Sequence, residues 1–435
     1  MISKEQKRII SKRNMKIFPI YKMIGWDFLF FYTIDFLFLT QIKNISVADV
    51  ILKNTFYALF GIILQIPANI IVEFLGRKNS LIFGNILNCI YVLILMLSRN
   101  LYDLIFAELF AATAYAIKNI VETTLLNESI PNSKYKSKIF SRINAKGAAG
   151  YYFLNTITKI IAGFLFEING YLPLIFTTIT SVLTVVISMF FIEPITKRKV
   201  KNFGENEIKE FYKGFKFVLT SERLKALIIS YSLISSILYI LSTYNISILE
   251  DIGISSITIG IISAISTLLS AYASKKELTF HKKYRNKTIT IISLITSISC
   301  IISGLSGLII PQLKLVTIIL VMSILSYGFT NGMYYTIRDK YLGNFANKKI
   351  NTKIYAVSQV FNNVAKVIGG FIATFLIDKT STSKSMMIVG IIFTILFLIC
   401  KKYMKTRVGL KPEQYSREER KYDEFKEEKI NEGLK

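Results

Sequence analysis

Gln65-Ile66-Pro67-Ala68-Asn69-Ile70-Ile71-Val72-Glu73-Phe74-Leu75-Gly76-Arg77-Lys78 reads as the end of one apolar helix, a turn, and the start of the next. Gly76 permits a tight turn. Glu73 precedes it by three residues, and Arg77 and Lys78 follow, where cations can rest at the water face of a bilayer. The chain on either side is apolar for about 20 residues, enough to cross a hydrocarbon core of roughly 30 Å. The stretch is therefore a short interfacial loop between two membrane spans.

Reading outward from it finds twelve such runs: 22–40, 48–73, 79–98, 101–126, 141–166, 170–192, 223–248, 254–274, 288–309, 313–336, 352–377 and 385–404. Of the 435 residues, 52% are apolar and 19% charged, yet 54 Lys+Arg against 28 Asp+Glu leave a net charge of +26. That much apolar surface excludes a disordered, collagenous or coiled-coil chain. A basic excess of this size would suit a nucleic-acid surface in a soluble protein, but here it sorts by loop. With both termini inside, cytoplasmic segments hold about 44 of the Lys and Arg residues, as the positive-inside rule requires. External loops hold only Lys43, Lys53, Arg99, Lys314, Lys379 and Lys384, and Lys118, Lys146, Lys159 and Lys366 fall within spans. The expectation is an all-α integral membrane protein with no nucleic-acid partner, in the plasma membrane, most simply a bacterial inner membrane.

The organisation follows from the same reading: a cytoplasmic arm over 1–21, six spans over 22–192, a central cytoplasmic loop over 193–222, six spans over 223–404 and a charged tail over 405–435. Lys159-Ile160-Ile161-Ala162-Gly163-Phe164-Leu165 in the fifth span recurs as Lys366-Val367-Ile368-Gly369-Gly370-Phe371-Ile372 in the eleventh, as an internal duplication predicts. Cys89, Cys300 and Cys400 have no disulfide or zinc spacing. One histidine, His281, read as an exposed loop residue, leaves no material for a His-based metal site or a catalytic triad. No cofactor and no metal are expected.

The quoted stretch resembles the loop signature of the major facilitator superfamily. In a bacterial drug-efflux-like group of that family, a Glu-Ile-Pro-Thr-Gly run leads into Asp-Arg-x-Gly-Arg-Lys. Pro67, Gly76, Arg77 and Lys78 match outright; Glu73 stands for the Asp, Gln65 for the Glu and Asn69 for the Gly, while Phe74 replaces the first Arg. The fourth span (Lys118-Asn119-Ile120, Glu122, then Leu125-Leu126-Asn127-Glu128-Ser129) and Glu193-Pro194 are similar to the same group. Gly147, Gly150 and Gly163 occur without the proline of the fifth-helix motif found in drug antiporters. The resemblance implies two pseudo-symmetric six-helix bundles that rock about a midplane site. It also implies that Pro67, Glu73, Gly76, Arg77 and Lys78 act as a conformational latch.

Ionisable residues within spans cost about 2.5–3.5 kcal/mol each on insertion scales, so they mark function. Asp35, Glu108 and Lys159 fall roughly 6–9 Å to the external side of the midplane, and Asp27, Lys118, Glu122 and Lys146 on the internal side. A carboxyl group in a low-dielectric surrounding can load and release protons between alternating states. Asp35 and Glu108, then Asp27 and Glu122, are the proton-coupling candidates; the alternative for the first two is a structural ion pair with Lys159. Lys159 with Lys366 could grip an anionic substrate group, or merely snorkel. Lys118 and Glu122, four residues apart, could pair. Tyr32, Tyr115, Asn331, Gln359, Asn362 and Asn363 complete the substrate-cavity candidates.

No nucleotide-binding loop is present, so an ion gradient is the expected energy source. The leading expectation is a monomeric transporter that exports a small molecule, a drug or metabolite, by proton-coupled antiport. The alternatives are an uptake permease, a flippase or membrane enzyme for lipid-linked substrates, and a sensor without flux. Short external loops disfavour an enzyme.

Overall fold

The computed structural model describes residues 4–131, 135–194, 203–284, 287–309, 314–344 and 351–407. Lys197-Arg198-Lys199 and the tail beyond Arg407 lie outside them. The described residues are helical, in the order α1 Lys4–Gly25, α2 Ile34–Leu37 running into a wide turn at Phe38–Ile42, α3 Val47–Ile63, α4 Gln65–Leu75, α5 Arg77–Leu97, α6 Leu101–Ser129, α7 Lys136–Ile168, α8 Leu172–Met189, α9 Phe203–Thr220, α10 Glu222–Asp251, α11 Ser256–Tyr284, α12 Lys287–Ile309, α13 Lys314–Asn344, α14 Asn351–Lys379 and α15 Thr382–Arg407. Among these residues nine helices are individually long and apolar enough to cross a membrane, and the α3–α4 pair makes a tenth. Expected spans one and five fall on the broken α1–α2 segment and on the polar-faced α7.

Toward the N-terminus three elements differ from the sequence expectation. Residues of the expected arm over 1–21 are helical from Lys4 and run unbroken into the first span. That span stops at Gly25, and Trp26 to Thr33 are not helical; Phe30 adopts a left-handed φ of 64°. The second span is bent by 58° between α3 and α4. Pro67 explains the bend: it has no N–H for the carbonyl of Ile63, and its ring would clash there in a straight helix.

The described residues form two compact units. The first comprises those of Met1–Glu205, Ser242–Leu268 and Gly370–Thr382. In it α5 packs on α6 and α8, α1 on α7 and α8, and α3 and α4 on α6. Phe18 and Tyr21 of α1, Val72 of α4, Leu81 of α5 and Ile117 and Val121 of α6 share one buried core. The second unit comprises the described residues of Asn206–Leu241, Leu269–Gly369 and Ser383–Lys435, with α12 packed on α13. Within it, α9 stacks Phe215 on Phe361 at 5.7 Å, so part of the segment read as a loop is a docked helix. His281 is buried on α11 with its ring edge-on to Tyr341 at 5.5 Å, and is not an exposed loop residue.

The duplicated glycines have a shared physical role in the first unit. A Cβ on Gly163 of α7 would lie 2.7 Å from the Ser256 carbonyl of α11, and one on Gly260 equally close to the Lys159 carbonyl. A Cβ on Gly370 of α14 would strike Thr55 of α3. Small residues let membrane helices approach this closely, which is why Gly163 and its counterpart Gly370 recur at the same place in each half.

Candidate functional site

Helix interruption inside a membrane protein survives only where the freed backbone groups find partners. Here they do. Lys118 Nζ of α6 donates to the Gly25 carbonyl at 2.7 Å, and Thr177 Oγ1 of α8 donates to the Leu29 carbonyl at 2.9 Å. Asp27 closes its own turn, accepting from the Phe28 N–H at 3.0 Å and from the Tyr32 hydroxyl. Lys118 is thus a backbone partner; among the described residues no ion pair joins it to Glu122, contrary to the spacing-based expectation. Glu122 accepts instead from Tyr21 at 3.2 Å, and Tyr21 also reaches Asn85 Oδ1 at 3.4 Å.

Beyond the interruption lies a buried charge cluster. Lys53 Nζ sits 2.9 Å from Asp35 and 3.2 Å from Glu108, with side-chain exposures of 1%, 15% and 4% in that order. The Tyr91 hydroxyl donates to Glu108 at 3.3 Å. The second Asp35 oxygen is buried and has no hydrogen-bond partner among the described residues. Two carboxylates therefore share one ammonium. Sequence reasoning placed Lys53 in an external loop and offered Lys159 as the partner of these acids; both readings are corrected. Lys53 lies well inside α3, and its position within run 48–73 was the signal that could have found it.

Lys159 of α7 donates to Thr267 Oγ1 at 2.8 Å. Trp26 lies edge-on to Tyr151 at 5.1 Å and Tyr152 at 5.7 Å, with the Lys22 ammonium 4.2 Å from its ring. Lys22 also donates to Asn144 at 2.6 Å. Tyr32 and Tyr115 are exposed, and Tyr115 faces Tyr57 at 6.3 Å. In the second unit Lys366 lies 4.9 Å from the Tyr239 ring. Asn362 is buried, accepting from Ser232 and donating to Gln359, both at 3.0 Å. Asn331 and Asn363 are half-buried. Thus Asp27, Asp35, Glu108, Glu122, Lys118 and Lys159 belong to one unit, and Lys366, Gln359, Asn331, Asn362 and Asn363 to the other.

The loop motif that opened the sequence reading is an ion cluster within the first unit. Gly76 takes φ 89°, a left-handed conformation that glycine tolerates without a Cβ clash. Arg77 binds Glu73 at 2.6 Å and Glu128 at 3.2 Å. Glu193 accepts from the backbone N–H of Arg77 at 2.9 Å and of Lys78 at 2.7 Å, capping the positive end of α5. Pro67 is exposed at the bend above. The roles of Glu128 and Glu193 were invisible in the sequence, because the residues lie about 50 and 115 positions away and meet Arg77 only through folding.

This combination, apolar helices around a polar interior with a basic loop motif, defines a polytopic solute carrier. The profile of the Major Facilitator Superfamily matches residues 23–338, and the chain belongs to that family. No curated protein matches it by sequence. Solved structures of similar fold include the nucleoside transporter NupG, with 14% identity and a TM-score of 0.69 over 91% of this chain and 99% of that one. A POT family transporter in complex with 5-aminolevulinic acid gives 16% and 0.65 over 91% and 95%. A D-xylose-proton symporter gives 12% and 0.65 over 91% and 96%. The chain is a multi-pass membrane transporter of this fold and not an enzyme.

Proposed function

We propose that the protein is a proton-coupled secondary transporter in which Asp35, Lys53 and Glu108 bind the proton. The supporting observation is the buried stoichiometry: two carboxylates on one lysine. With both acids ionised the cluster carries a net negative charge in a low-dielectric interior, which is costly; one proton makes it neutral. A conformation that lets water reach the acids, or moves Lys53 away from one of them, changes proton affinity and so links protonation to shape.

A contact chain ties this cluster to the interrupted first span. Tyr91, which donates to Glu108, packs its ring against Phe28 at 5.6 Å and Phe31 at 5.8 Å. Both phenylalanines belong to the interrupted segment that carries Asp27 at one end and leads into Asp35 at the other. A substrate that shifts this segment therefore shifts the proton site. The direction read here is export of a small metabolite or drug from a bacterial cell across its inner membrane, by a monomer. Uptake is the second reading, favoured by the D-xylose-proton symporter among the similar folds.

The test is flux in proteoliposomes under an imposed pH gradient, using a substrate first found by thermal-shift screening. Asp35→Asn and Glu108→Gln are expected to abolish gradient-driven flux while sparing substrate exchange without a gradient. Unchanged gradient-driven flux in both variants removes the proton assignment.

A further inference from the structure

Among the charges of the first unit that the proton cluster does not use, Asp27 and Lys159 form no ion pair among the described residues; Lys22, Lys118 and Glu122 form none either, but those three are buried and hydrogen-bonded to Asn144, the Gly25 carbonyl and Tyr21. Asp27 is exposed, held by the Tyr32 hydroxyl and its own turn; Lys159 is half-buried and bonded to a neutral hydroxyl, Thr267. Asp27 and Lys159 do not pair with each other; Tyr152, whose ring meets Trp26 beside Asp27, stands seven residues before Lys159 on α7. A carboxylate and an ammonium left apart in one region can each bind the opposite charge of a single ligand.

The walls indicate what it is. Tyr32 and Tyr152, 45% and 39% exposed, stand with Tyr151 at the Asp27 end, where the Trp26 ring already faces the Lys22 ammonium. Aromatic faces beside a carboxylate suit an organic ammonium. At the other end Lys159 offers a charge to a carboxylate or comparable anion. Tyr152 and Lys159 are seven residues apart on α7, about 10 Å along one helix face.

We propose that this surface binds a small zwitterion, its ammonium at Asp27 within the aromatic wall and its anionic group at Lys159. The proposal rests on the transporter reading and names its substrate class.

Trp26 is the single tryptophan of the sequence and adjoins Asp27, so its fluorescence reports the site directly. Purified protein in nanodiscs, with no gradient, is titrated with ω-amino acids from 4-aminobutyrate to 8-aminooctanoate, and with alkylamines and alkyl carboxylates of matching length. At least one ω-amino acid is expected to give a saturable change, with its matched amine and acid each weaker by on the order of tenfold. Asp27→Asn and Lys159→Gln should each lose that preference, and Asp27→Glu and Lys159→Arg should retain part of it. No response to any ω-amino acid overturns the proposal, as does equal binding of the plain amine or acid, or binding indifferent to both substitutions. Because binding is read without flux, a failed proton assignment leaves this result standing, and a failed zwitterion site leaves proton-driven flux of another substrate measurable.

Discussion

Lys53 shows most plainly how a single residue carries the argument. It is 1% exposed between two acids, so removing it leaves two carboxylates facing each other without a cation. Deleting one partner of a buried ion group costs about 3–5 kcal/mol, because the survivors stay buried and uncompensated. Lys53→Met should therefore lower the unfolding midpoint sharply. Lys53→Met combined with Glu108→Gln should recover a large part of that loss, since the remaining acid can stay protonated. Thermal unfolding of the four members of the cycle measures the coupling, and additive effects would show that the residues do not act as a unit. Asp35 and Glu108 were legible in the sequence as intramembrane acids. Their partner was missed because loop counting assigned Lys53 to the water side although it lies within run 48–73, and the helix start at Val47 places it inside.

Among the elements, the first span differs most from its pattern. Trp26-Asp27-Phe28-Leu29-Phe30-Phe31-Tyr32-Thr33 contains neither proline nor glycine and stays apolar, with Gly25 just before it the one local signal for a stop. It is interrupted because α6 and α8 supply the partners that its carbonyls would otherwise have found within a helix. Removing them tests that account. Lys118→Met with Thr177→Val should raise hydrogen exchange across residues 26–35 by about tenfold or more, while α5 and α12 stay protected; a bond to a buried acceptor is worth about 1–3 kcal/mol when lost. Uniform exchange across all helices would point to general destabilisation instead. The bend between α3 and α4 is the opposite case. Pro67 announces it in the sequence, and the 58° bend falls where its missing N–H and its ring oppose a straight helix.

At the scale of the whole molecule, two glycine crossings organise the transport cycle we propose. Gly163 meets Ser256, and Gly370 meets Thr55, each pair bringing one sequence half against the other within a single compact unit. Alternating access requires such contacts to part and re-form. Gly163→Leu and Gly370→Leu place a side chain where backbone or hydroxyl already sits, so each should cut turnover by on the order of tenfold. The Trp26 response to bound ligand should survive; if turnover is unaffected, these crossings do not open during transport. The sequence alone determined that the chain is all-α and crosses a membrane many times in the major facilitator fold; among the described residues nine helices, or ten with the bent pair, are long and apolar enough to span. The bilayer imposes those features through local length and charge, with no reference to distant residues. Tertiary structure decided which charges meet: Lys53 with two acids, and Glu193 on the start of α5. Those are relations between helices far apart in the chain, and in an apolar interior a charge is defined by the partner that folding brings to it.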